Sequence, residues 1–227
     1  MRNTILKVIF IAIVFGVLLA ELTANKSLTF ISKPMIMVWV LVYYLINTQQ
    51  KNISNKAIIA FIAAWAGDVL LMFQAKGDLF FMLGLGSFLI CQLLYATVFL
   101  KKALASGIQS NWLFKEPTWL LLLVIYTGSL YAAMYQGLSE NLRIPVFVYA
   151  LAITSMLIGA LSRRKLVDKK SFQLIVVGAL LFVLSDSLLG LNKFFMEVPY
   201  AGFWILLTYM SAQYFIVRGL IIKNNDL

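Results

Sequence analysis

The chain divides into eight apolar runs of about 20 residues, each the length that crosses a bilayer as a helix, parted by short polar breaks. The runs cover residues 4–22, 29–46, 56–73, 79–100, 118–136, 144–161, 171–191 and 200–222. Hydrocarbon leaves no backbone N–H or C=O to water, so runs of this length are satisfied only as helices. The pattern predicts an all-α polytopic membrane protein, one domain over residues 1–227 with eight transmembrane helices. At 62% hydrophobic and 12% charged residues, the composition lies outside the range of soluble domains, which are near half apolar and a quarter charged.

An even number of crossings puts both termini on one side, and the basic residues test that count. Arg2, Lys7, Lys51, Lys56, Lys101, Lys102, Lys115, Arg163, Arg164, Lys165, Lys169, Lys170, Arg218 and Lys223 fall on the side of the termini. Only Lys26, Lys33, Lys76, Arg143 and Lys193 fall opposite. By the positive-inside rule both termini are expected in the cytoplasm, at the inner membrane in a bacterium. The first run also has the make-up of a signal peptide, with small residues near Ala24, but the charge sorting is more self-consistent with the segment kept. Scattered in this way, a net charge of +10 forms no platform for nucleic acid. The run from Arg163 to Lys170 reads as a topology signal or an anionic-lipid contact. Trp112, Trp119 and Trp204 read as interfacial anchors.

Two aspartates interrupt the apolar runs. Asp68 stands in Ala66-Gly67-Asp68-Val69-Leu70-Leu71 and Asp186 in Leu184-Ser185-Asp186-Ser187-Leu188-Leu189. An ionised carboxylate there costs several kcal/mol, which marks each as a candidate functional group; the bland alternative is a paired group that holds helices together. At 1.5 Å of rise per residue the two lie at comparable depth, toward the side opposite the termini. Two carboxyls at one depth can divide acid and base work between them.

The companions of the aspartates repeat. The fourth run carries Phe88, Gln92 and Tyr95 on one helical face, and the eighth carries Tyr209 and Gln213. An Asp-x-Leu-Leu helix followed by an aromatic-x-x-x-Gln helix in each half suggests a four-plus-four parallel repeat. The amides and phenols serve equally as interhelical hydrogen-bonding glue. Ala60, Ala63 and Gly67 on the third run and Gly84, Ser87 and Cys91 on the fourth are small enough to let those helices pack closely. Lys33 precedes Pro34, which suits a first helical turn. With no histidine and one cysteine, Cys91, the chain lacks the usual ligands of zinc or copper; no disulfide, metal or cofactor is expected.

Taken together, Ser32-Lys33-Pro34, Gly67-Asp68-Val69-Leu70-Leu71, Gly84-x-x-Ser87-Phe88-x-x-x-Gln92-x-x-Tyr95, Tyr149 with Met156, Gly178-Ala179-x-x-Phe182-x-x-Ser185-Asp186, Lys193-Phe194 and Tyr209-x-x-x-Gln213 resemble the YhhN-like lysoplasmalogenase family of integral membrane proteins. The resemblance implies an eight-helix hydrolase that cleaves the vinyl-ether bond of a one-chain ether phospholipid, releasing a fatty aldehyde and a glycerophospho-head group. It implies Asp68 and Asp186 as the catalytic pair. Lys33, Gln92, Tyr95, Tyr149, Ser185, Tyr209 and Gln213 are expected around the substrate, a lysophospholipid drawn from the bilayer. Many members of that family carry a histidine where this chain has Gln92, so the acid–base work here falls on the aspartates. Two readings from other classes stay open: a transporter or lipid-binding protein whose carboxylates carry protons, and a structural membrane protein without chemistry. Assembly with copies of itself is also left open.

Overall fold

The computed structural model describes residues 2–105, 107 and 117–222. The expected helices are all found: α1 (Arg2–Leu22), α2 (Lys26–Asn47), α3 (Asn55–Met72), α4 (Asp78–Ala105), α5 (Thr118–Met134), α6 (Glu140–Ser162), α7 (Lys169–Phe194) and α8 (Ala201–Ile221). All eight are long and apolar enough to cross a membrane. Among the described residues there is no strand, and the remaining regular structure is three short 3-10 turns. Trp112, Lys115 and Lys223 lie outside the described residues.

The helix starts reach further into the polar flanks than the apolar pattern indicates, because caps rather than hydropathy set them. Asn25 accepts a hydrogen bond from the Leu28 N–H at 3.1 Å and starts α2 at Lys26. The Asp168 carboxylate accepts from the Lys170 and Ser171 N–H groups and starts α7 at Lys169. Each satisfies donors that an uncapped first turn leaves orphaned. One expectation is corrected here: Pro34 is not in a first turn but inside α2. The Asn25 cap nucleates the helix two turns before Pro34, and the proline only removes a backbone donor in mid-helix. Pro145 sits inside α6 in the same way.

The outward faces stay apolar: Phe15, Ile31 and Ile144 are 66%, 68% and 75% exposed, a surface suited to lipid and not to water. Inside, the helices approach through small residues. A Cβ on Gly178 of α7 would lie 2.9 Å from the Ala212 carbonyl oxygen, and one on Gly219 of α8 would lie 3.1 Å from that of Ser171. Such contacts let α7 and α8 run side by side. The expected pairing of α3 with α4 is also present, with Gly67 facing the Phe88 ring and Gly84 facing Leu71. Neighbour relations recur between the halves: α3 lies on α4 as α7 on α8, α2 on α3 as α6 on α7, and α4 meets α6 as α8 meets α2.

Arg163 departs from the other basic residues near it. It is only 4% exposed, turned inward beside the Phe99 ring, and donates from Nη2 to Ser171 Oγ at 3.2 Å. Burial lowers its pKa to about 10. So Arg163 belongs to the packing of the α6–α7 turn and not to a lipid-facing basic run, because the short turn leaves its side chain the gap between α4 and α7.

Candidate active site

Asp68 reaches the site from α3 and Asp186 from α7, each in the part of its helix distant from the chain termini. Both carboxyls line one cavity of about 200 Å³, together with Lys33, Gln74, Ser185, Asn192 and Tyr209. The aspartates thus line one cavity, although Asp186 stands eight residues from the end of its helix and Asp68 four.

Each carboxyl accepts a hydrogen bond from the opposite half of the chain, and Asp186 accepts a second from its own half. Tyr209 of α8 donates its hydroxyl to Asp68 Oδ2 at 2.7 Å. Gln92 of α4 donates Nε2 to Asp186 Oδ2 at 3.3 Å. The Tyr149 hydroxyl of α6 donates to the same Oδ2. In both aspartates the fixed oxygen is Oδ2, which leaves Oδ1 for a ligand. Asp68 is 2% exposed, whereas Asp186 is half-buried. Lys33 lines the same cavity as the Asp68 carboxyl.

The remaining expected residues play different parts. Ser185 lines the cavity, but its hydroxyl is committed to the Ile205 carbonyl of α8 at 3.0 Å. Tyr95 donates to Gln213 Oε1 at 2.6 Å, and both are fully buried; they tie α4 to α8 below the aspartates. Under them, the rings of Phe88, Phe182 and Tyr209 meet edge to face, with centroids 5.6 to 6.3 Å apart. This aromatic nest fixes the Tyr209 ring, and so the height at which its hydroxyl meets Asp68.

Two further spaces adjoin the cavity. On one side lies an apolar slot of about 60 Å³ between α4, α5, α6 and α7, lined by Leu85, Leu130, Val146 and Ile153 among others. Asp186 and Leu189 are the residues that line both the slot and the polar cavity. On the other side, a vestibule of about 630 Å³ lies at the end of the bundle opposite the termini, between α1, α2 and the end of α3. Glu21, Lys33, Leu71 and Gln74 line both the vestibule and the cavity. Reading by apolar runs passed over Glu21, Gln74 and Asn192, because each falls at a run's end and looks like a simple boundary residue.

An all-helical bundle of eight membrane-length helices, with two carboxyls lining one polar cavity and one of them also lining an apolar slot, is a multi-pass membrane protein with a buried acidic cavity. The sequence pattern of the YhhN family matches residues 28–220, and the chain belongs to that family. It is similar to lysoplasmalogenase TMEM86A of Bos taurus, 31% identical over 163 residues that make up 70% of this chain and 62% of that protein. Lysoplasmalogenase TMEM86B of Homo sapiens is 29% identical over 154 residues, 68% of this chain and 58% of its own length. The chain therefore spans less than two thirds of the curated relatives it matches. No solved structure matches it.

Proposed function

We propose that the protein is a membrane-embedded lipid hydrolase that cleaves the vinyl-ether bond of lysoplasmalogens. The observation that carries this reading is the position of Asp186, which lines both the polar cavity shared with Asp68 and the apolar slot. In a lysoplasmalogen the vinyl ether is the junction between a hydrocarbon chain and a polar glycerol. A lipid with its chain in the slot and its glycerol in the cavity brings that bond to Asp186. The names of the relatives support the same substrate class.

The chemistry needs no group beyond two carboxyls and water. Neutral Asp186 donates its proton to the alkene carbon that does not bear oxygen. The π pair forms the new C–H bond, leaving an oxocarbenium ion beside an Asp186 carboxylate that stabilises it. Water adds to the carbon bearing oxygen and loses a proton to Asp68, giving a hemiacetal. Collapse returns the hydroxyl proton to Asp186, while the departing glycerol oxygen takes the proton held by Asp68. The products are a fatty aldehyde and the glycerophospho-compound, and both carboxyls return to their starting states. Tyr149 and Gln92 orient Asp186, Tyr209 orients Asp68, and Lys33 meets the phosphate.

Purified protein incubated with lysoplasmenylethanolamine should release aldehyde, and the saturated alkyl-ether analogue should yield none. Absence of aldehyde from the wild type, with a working control enzyme alongside, would sink the reading.

A further inference from the structure

Glu21 precedes the residues matched by the family and has no part in the chemistry above. It lies one residue from the end of α1 and lines both the vestibule and the neck leading to the cavity. The vestibule also presents Lys26, Lys33 and Lys76, yet Glu21 forms no ion pair with any of them. One glutamate and three lysines therefore line the same open space of about 630 Å³ with no ion pair within 4 Å between them, the Lys76 ammonium lying over the Phe73 ring at 4.9 Å. Two aromatic rings, Phe30 and Phe73, stand in the same wall with centroids 5.3 Å apart.

The position of Glu21 is fixed by its surroundings. Its carboxylate lies against the Cα of Gly202, in the first turn of α8, where a Cβ would collide with it. The helix N-terminus there favours an anion. Counted from the helix ends opposite the termini, Glu21 is roughly 1.5 Å deep, Asp68 about 6 Å, and Asp186 about 12 Å. Lys33 starts some 10 Å down α2, and its long stem lets the ammonium rise toward the vestibule. From the inside outward the order is acid, second carboxyl, cation, anion.

We infer that Glu21 is a head-group selectivity residue, reading the cationic amine of a zwitterionic lysophospholipid whose phosphate is met by Lys33. Three lysines in the same vestibule attract a bare phosphate and Glu21 opposes that added negative charge, so Glu21 shifts preference away from the anion and toward the zwitterion. The choice of a lysophospholipid as ligand rests on the reading under Proposed function; the placement of opposite charges around the neck does not.

The test compares lysoplasmenylethanolamine with the same vinyl-ether chain carrying a bare phosphate head group, on the full chain in nanodiscs. The quantity read is the ratio of kcat/KM for the ethanolamine lipid to kcat/KM for the bare phosphate. Glu21→Gln, and separately Gly202→Ala, which displaces the carboxylate without removing a charge, should each lower that ratio roughly tenfold, mainly through KM. Equilibrium binding of the two saturated alkyl-ether analogues gives the same comparison without turnover. If wild type releases no aldehyde but both variants lower the zwitterion-to-anion ratio in binding, the hydrolase reading fails and the role of Glu21 stands. A ratio unchanged in Glu21→Gln overturns the inference.

Discussion

Tyr209, on the last helix, donates its hydroxyl to Asp68 on the third at 2.7 Å, and so ties one half of the chain to the carboxyl of the other. Both residues are almost wholly buried, and no other hydrogen bond reaches Asp68 Oδ2 from the described residues, so losing that donor leaves a buried acceptor poorly satisfied. Tyr209→Phe keeps the ring in its aromatic nest and removes only the hydroxyl. The expected outcome is a loss of about 1.5–3 kcal/mol of stability, read as a lower melting temperature in detergent, and roughly a tenfold fall in aldehyde release. A variant that melts as wild type does would show that Asp68 does not depend on this bond.

The two aspartates are predicted to fail differently. Asp186→Asn removes the proton donor and should lower kcat by about 10²–10⁴-fold, the usual share of general acid catalysis. Asp68→Asn keeps a hydrogen-bonding partner for Tyr209 but loses the base that activates water. Its fall should be partly reversed in deuterium-exchange or nucleophile-trapping assays that report protonation of the alkene alone. Equal loss of alkene protonation in both variants would reject the division of roles, though not the shared site.

The helix count was legible because a run of about 20 apolar residues spans the bilayer. The depth of the aspartates was legible only coarsely, since α7 continues past its apolar run to Phe194 and sets Asp186 about 12 Å from its end against about 6 Å for Asp68. The partners of each carboxyl were only half legible. In lipid the outward face is as apolar as the core, as exposed Phe15 and Ile31 show, so no polar face marks which helices are neighbours. Gln92 and Tyr209 could be named from their helical faces and Tyr149 from the family resemblance, but none could be assigned to Asp186 or Asp68. Tyr95 and Gln213 look identical to them in sequence, and only the packing of α4 on α8 turns that pair toward each other. Pro34 misled for a local reason, since a proline rule for first turns knows nothing of a cap placed nine residues earlier at Asn25.

The slot next to Asp186 is narrow enough that one added carbon should be felt. A Cβ on Gly190, which lines the slot, would lie 2.6 Å from Met134 Sδ. Methionine side chains move readily, so Gly190→Ala should fold normally and push Met134 into the slot. The expected outcome is a shift of preference toward shorter vinyl-ether chains, read from aldehydes released in a competition among chain lengths. An unchanged chain-length profile would place the hydrocarbon elsewhere.

The last prediction concerns the α7–α8 contact, which sets where Asp186 stands. Gly178 lies about two turns before Asp186 on α7, and an added Cβ there would sit 2.7 Å from Ile216 Cγ1 and 2.9 Å from the Ala212 carbonyl oxygen. The isoleucine side chain can turn, but the carbonyl is helix backbone and cannot yield without moving α8. Gly178→Leu should therefore cost about 1–3 kcal/mol or more, and it should also loosen the Ser185 bond to the Ile205 carbonyl that keeps α7 seated. Gly128 on α5 supplies the control, since an added Cβ there meets nothing within 4 Å. Gly128→Leu should leave the melting temperature unchanged or slightly raised, because a helix former replaces glycine on an open face. Equal destabilisation of the two variants would mean that glycine matters here for backbone conformation and not for close approach, and the seating of Asp186 by the α7–α8 contact would then have to be abandoned.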